Sequence, residues 1–172
     1  MLSNKHISFK GKHNIDKINN NADEKRLHME CLLDADITHT EQVEMCNKLY
    51  MDCDFSLKSL LEKELNKKIQ GYKYQDIKKE TYDVNELISL TDTLEKLVGT
   101  KLRCYYCKIE VLLLYKNVRE PSQWTLDRID NSKCHSKENT VIACLKCNLQ
   151  RRVTDMGKFT FTKRLVITKT LF

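Results

Sequence analysis

Two cysteine pairs, Cys104-Tyr-Tyr-Cys107 and Cys144-Leu-Lys-Cys147, stand 36 residues apart and decide how this chain is read. Two intervening residues let the backbone turn so that both thiolates reach one ion, with Zn–S at about 2.3 Å. Four thiolates complete a tetrahedron and leave no open position, the arrangement of a structural site. A redox C-x-x-C usually follows a strand in a βαβ unit, and two pairs in one short basic segment speak against that use. The expectation is one Zn²⁺ on Cys104, Cys107, Cys144 and Cys147. In small zinc peptides such binding contributes roughly 10–16 kcal/mol. Residues 99–172, basic and with few large apolar clusters, need such a staple.

The insert between the pairs carries its own pattern. Ile109-Glu-Val-Leu-Leu-Leu-Tyr115 is an apolar run suited to a buried strand or short turn. Gln123-Trp-Thr-Leu-Asp-Arg-Ile-Asp130 alternates in part like a strand and ends in charge. Asn131 to Asn139 is polar and reads as a loop, and Thr140-Val-Ile-Ala143 as a short β-branched strand. After Cys147, Asn148-Leu-Gln-Arg-Arg-Val153 looks like the opening of a helix. Trp124, Tyr105 and Tyr106 are read as core before base-stacking residues.

Strand, loop, strand and helix, closed by four cysteines, resembles the HNH or ββα-metal nuclease family. Asp127 stands where that family has its acidic metal ligand, Asn139 at its middle Asn, and Asn148 directly after Cys147, as in a C-x-x-C-[HN] ending. The likeness spans about residues 102 to 152, about 30% of the chain. It resembles the zinc-containing branch that includes phage recombination endonuclease VII, and uncharacterised HNH-type proteins of large DNA viruses. The resemblance implies a catalytic Mg²⁺ or Mn²⁺ between Asp127 and Asn148, oxygen ligands suited to a hard cation. It also makes a homodimer worth testing.

One position departs from the family. Arg128 occupies the place of the general base, and a guanidinium with a pKa above about 12 accepts no proton at neutral pH. Its expected role is to grip phosphate or stabilise transition-state charge, or else to form an ion pair with Asp130 or Glu138. His135, the one histidine of residues 99–172, is the candidate substitute base; otherwise it orders its loop or contacts phosphate. Asp130 is a second candidate, as ligand or base, or a structural residue. Asn139 is expected to tie the loop together. Cys134 would be strained if the loop requires a positive φ there.

Outside the module, residues 1–25 are Asn- and Lys-rich and read as a flexible arm. Residues 26–98 read as a helical support. Thr38 and Glu41 have capping-box spacing, and Val43, Cys46, Leu49, Tyr50 and Cys53 follow at helical intervals. Leu57, Leu60, Leu61, Leu65 and Ile69 form a second stripe closed by Gly71 as a C-cap. A third helix is expected to start near Asp83, with Leu87, Ile88, Leu90, Leu94, Leu97 and Val98 as its apolar face and Gly99 following it. His28 and Cys31 form an H-x-x-C pair and Cys46 and Cys53 lie seven apart; these cysteines are read as buried reduced thiols before a second metal site. The fold class expected is α+β, a helical segment followed by a zinc-stapled ββα module over residues 99–172.

Charge divides unevenly. Residues 1–98 hold 15 Lys and Arg against 18 Asp and Glu, a net of −3; residues 99–172 hold 15 against 6, a net of +9. A segment that basic favours a polyanion, and nucleic acid, DNA before RNA, is the partner read from it. Arg151, Arg152, Lys158, Lys163 and Arg164, with Phe159, Phe161 and Leu165 interleaved, are expected on its phosphates. No signal-peptide pattern and no run near the roughly 20 apolar residues of a membrane span occurs, so an intracellular, non-secreted, soluble protein is expected. The leading functional expectation is a metal-dependent endonuclease. The alternative is a degenerate HNH module that binds nucleic acid without cutting it, and a zinc-stabilised protein-interaction module comes third.

Overall fold

A computed structural model describes residues 37–165. The arm read over residues 1–25 and the His28–Cys31 pair lie outside the described residues. Three helices come first: α1 (His39–Tyr50), α2 (Lys58–Lys78) and α3 (Leu90–Gly99). Thr38 caps α1 in a capping box with Glu41, the Thr38 hydroxyl accepting from the Glu41 N–H and the Glu41 carboxylate accepting from Thr38 N–H. Cys46 and Leu49 are buried, whereas Tyr50 and Cys53 are exposed, because α1 ends before the stripe reaches Cys53.

Two helix boundaries differ from the sequence reading. Gly71 does not cap α2; the helix runs through it to Lys78, and the buried stripe Leu61, Leu65, Ile69 continues as Tyr72 and Asp76. Tertiary packing of that continued face outweighs the cost of one interior glycine, about 1 kcal/mol. Nor does α3 begin near Asp83. The Asp83 carboxylate accepts from Asn85 N–H in a local turn, and α3 starts after Ser89, which forms a second capping box with Asp92. Residues 87 and 88 instead run beside the 131–139 loop, Leu87 bridging Ser136 and Ile88 N–H donating to the His135 carbonyl at 2.8 Å.

The sheet is one antiparallel pair, β1 (Trp124–Arg128) with β2 (Thr140–Cys144), in the register Leu126 opposite Ile142. A two-stranded sheet leaves β1 with an unpaired outer edge, and α2 covers it. Lys68 Nζ donates to the Trp124 carbonyl, Leu126 N–H donates to the Tyr72 hydroxyl at 2.9 Å, and Asp76 faces the Arg128 guanidinium at 3.4 Å. The match is geometric. Four helical residues rise about 6 Å and two strand residues about 6.6 Å, so positions 68, 72 and 76 meet positions 124, 126 and 128 in step.

Helix α4 (Leu145–Arg151) follows β2 directly and α5 (Met156–Arg164) comes after it. Cys144 is the N-cap of α4, its sulfur accepting from Cys147 N–H at 3.4 Å. The helix thus opens inside the second cysteine pair and not after it. The apolar run 109–115 forms no named strand; it is held by isolated bridges and by Gln42 of α1, whose side chain accepts from Leu113 and Leu114 N–H and donates to the Leu114 carbonyl. The core is continuous, with Leu61, Leu65 and Leu97 of the helices in one cluster with Tyr106, Trp124, Leu126 and Ile142. Among the described residues no helix is long and apolar enough to cross a membrane.

Candidate zinc centre and catalytic cleft

The sulfurs of Cys104, Cys107, Cys144 and Cys147 all lie within 4.8 Å of one another, and Cys107 and Cys144 are 3.8 Å apart. A tetrahedron with Zn–S of about 2.3 Å has edges of about 3.8 Å, so the cluster has the dimensions of a Zn²⁺ site. Its charge points the same way. The Cys144 thiol, with backbone N–H groups of Cys107, Cys144 and Tyr106, lowers the Cys104 thiol to about 4; Cys144 is raised in return. Burial pushes Cys147 up to about 12, helped by the Cys104 charge. Four sulfurs this close ionise together only around a cation. The ion these residues would hold supplies a cross-link between the two ends of the insert. Lys108, just past the first pair, takes a φ of 60° to close the turn.

The first pair also reaches the sheet. Tyr106, between the ligands, is fully buried, and its hydroxyl donates to Asp127 Oδ2 at 2.5 Å. Arg151 Nη1 donates to both Asp127 oxygens at 3.0 Å and to the Arg128 carbonyl at 2.6 Å, while Nη2 donates to the Ile129 carbonyl at 2.9 Å. Burial raises the pKa of Asp127, and Tyr106 and Arg151 oppose that shift.

A cleft of about 770 Å³ opens between α2, β1 and α4. Asp127, Arg128, His135 and Asn148, brought from one strand, one loop and one helix, all line it. His135 is 3% exposed and Asp76 is completely buried. The Asp76 carboxylate accepts from His135 N–H at 2.8 Å and lies 2.7 Å from His135 Nδ1. The imidazole also packs on the Tyr72 ring, with centroids 4.7 Å apart. A proton on Nδ1 bridges to the carboxylate, which leaves Nε2 with a lone pair. Burial lowers the His135 pKa from 6.5; Asp76 counters this, and Arg128 and Lys79 add to it. The net downward shift favours the neutral ring.

Several expected site residues stand otherwise. Asp127 and Asn148 do not fit a Mg²⁺ or Mn²⁺ ion as they are arranged. The carboxylate is 5% exposed and already carries a guanidinium and a phenol, and Asn148 Nδ2 donates to Thr125 Oγ1 at 3.1 Å. A cation beside Arg151 would meet like charge. Arg128 pairs with Asp76, not with Asp130 or Glu138, and Nη1 also donates to the Lys133 carbonyl at 3.0 Å. Arg151 is buried in its ion pair and is closed to phosphate. Of the other four basic residues, only Arg152 lines the cleft; Lys158, Lys163 and Arg164 sit on α5, where Lys163 meets Gln150 and Arg164 the Tyr105 carbonyl. Asp130 is an exposed turn residue whose carboxylate accepts from Ser132. Asn139 spans the loop, accepting from Asp130 N–H and donating to the Asp130 and Cys134 carbonyls, each at 2.9 Å. Cys134 is not among the positive-φ positions and bears no such strain.

The residue that sequence reasoning missed is Asp76. Its signal was the stripe 61, 65, 69, which reaches 72 and 76 once the helix is carried through Gly71. No protein-family model, curated protein or solved structure matches the chain.

Proposed function

We propose that this chain binds nucleic acid in the cleft and hydrolyses phosphodiester bonds there, as its resemblance to HNH nucleases implies, with DNA the first substrate to test. The observation that carries the reading is the buried Asp76–His135 pair in a cleft of cationic lining. Lys67, Lys68, Lys79, Arg128 and Arg152 line that cleft against Glu64 and Asp127. Carboxylate and imidazole at 2.7 Å is the arrangement that fixes a tautomer and orients a base.

In this reading Asp76 holds the Nδ1 proton, and Nε2 takes a proton from the attacking water. The water oxygen bonds to phosphorus as the bond from phosphorus to the leaving oxygen breaks, and the leaving oxygen takes a proton from the imidazolium. Exposed Lys67, Lys79 and Arg152 carry the phosphate charge. Arg128 is a positioning residue, because it neutralises the far side of Asp76. General-base catalysis of this kind is worth roughly 10²–10⁴ in rate. Asn148 orients toward β1 and supports the cleft wall.

Asp127, sealed by Arg151 and Tyr106, favours the alternative of a module that binds without cutting. The two readings part in a cleavage assay with supercoiled plasmid and with DNA and RNA oligonucleotides, in the presence of Mg²⁺ or Mn²⁺. The hydrolase reading expects scission by the wild type and a loss of about 10²-fold or more in His135→Ala and Asp76→Asn, with binding retained. Salt-dependent binding by a wild type that cuts no DNA or RNA form would establish the alternative.

A further inference from the structure

The cleft has a second wall that the charge pattern of the sequence assigns to the other half of the chain. Lys67, Gly71 and Gln75 fall at i, i+4 and i+8 along α2, Lys79 follows at i+12 just past its end, and all four line the cleft shared with α4. Lys67 and Lys79 are exposed. Between them the wall is open, because a Cβ added at Gly71 would meet nothing within 4 Å. Facing this wall, α4 and the residues after it present Arg152 together with Leu149 and Val153, which are 61% and 87% exposed. The cleft therefore offers cations along its sides and large apolar groups beside them.

We infer that the cleft takes a single strand of nucleic acid, threaded between α2 and α4 past Gly71, and excludes an intact duplex. The substrate class rests on the proposed function of the same site. Three observations carry it. First, the group proposed as the base is recessed: His135 is 3% exposed and lines a cleft of about 770 Å³. Pockets of about 300–1,000 Å³ enclose a ligand of drug size, which corresponds to a nucleotide or two and not to a paired helix. Second, a duplex turns phosphate and sugar outward and hides its base faces. Leu149 and Val153 have apolar surface that only unstacked bases can cover, as apolar side chains do around flipped bases. Third, Lys67 on α2 and Lys79 just past its end are separated by about three helical turns, on a line that a strand's phosphates can follow.

The test is equilibrium binding by fluorescence anisotropy, with fluorescent single-stranded DNA, single-stranded RNA and a blunt DNA duplex of the same sequence as probes. The expected result is at least tenfold tighter binding of a single strand than of the duplex. Gly71→Phe should fill the passage and weaken single-strand binding by tenfold or more. Lys67→Gln with Lys79→Gln should lower the slope of log K against log salt by about 1.4, at roughly 0.7 per phosphate contact on a single strand. If Gly71→Phe fails to fold, this lysine pair still decides. Duplex binding equal to single-strand binding overturns the inference, as does an unchanged salt slope in the lysine variant or full affinity in a folded Gly71→Phe. Because the readout is binding, a chain that grips single strands and cuts none overturns the hydrolase reading alone, and one that cuts duplex as readily as single strands overturns this inference alone.

Discussion

Gly71 is a glycine in the interior of a helix, with open space where a side chain would begin. Replacing it by alanine removes backbone entropy from the unfolded chain and meets no neighbour. Gly71→Ala should therefore stabilise the fold by about 0.5–1 kcal/mol, read as a higher urea midpoint at unchanged m. His135 gives a prediction of pH dependence. Tyr72 and Asp76 from α2, Lys79 just past it and Arg128 from β1 face the ring, and burial holds its pKa below the ordinary 6.5. An unfolded chain then binds a proton that the folded one refuses. The stability contributed by the neutral ring is complete above about pH 6.5 and is lost as pH falls below it. Urea midpoints measured on either side of that pH should show a decline on the acid side that His135→Gln lessens. His135 stood out in the sequence as the one histidine of its segment, while its partner did not. An aspartate 59 positions away acquires meaning only once α2 is laid along β1.

Between elements, the same contrast of local and long-range information recurs. The capping boxes of Thr38 and Ser89 join groups three residues apart. The Thr38 box is legible in sequence, whereas Asp83 with Glu86 mimics the spacing by which Ser89 and Asp92 cap α3. Both cysteine pairs were legible because two-residue spacing is itself the geometry. The partner of Asp127 was not. Arg151 lies three residues beyond Asn148, on the helix face turned to β1, and its basic neighbours made it look like a phosphate contact. Removing one member of this buried pair leaves an uncompensated charge, so Arg151→Met should cost about 3–5 kcal/mol. Asp127→Leu with Arg151→Met should cost clearly less than the sum of the two single changes in a double-mutant cycle. Simple additivity would show that the ion pair is not what joins α4 to β1. The zinc centre is checked by elemental analysis. One zinc per chain is expected, and Cys144→Ser should lose the metal and lower the thermal midpoint, since Cys144 also caps α4. Metal-free protein with an unchanged midpoint would contradict that role.

Over the whole molecule, the division into an acidic helical half and a basic module is a property of the sequence and not of the cleft. Apolar residues of both halves form one core, and both halves wall the same cavity. The helices thus provide the carboxylate that orients His135, the lysines opposite α4 and the cover of an otherwise open strand edge. The α+β hairpin-and-helix order and the four-cysteine cluster could be read from spacing because both are set within short stretches. The assembly of the site depends on how a 21-residue helix lies against a five-residue strand, which no local pattern encodes.

Chemical rescue tests the account's centre most directly. His135→Gly should leave a cavity beside Asp76 and cut phosphodiester bonds about 10²-fold or more slower than the wild type. Added imidazole should restore cleavage of a single-stranded oligonucleotide in that variant, in proportion to the neutral form of imidazole, and should not do so when Asp76→Asn is combined with it. Cleavage by His135→Gly at the wild-type rate, with imidazole without effect, would show that the base lies elsewhere and contradict the assignment.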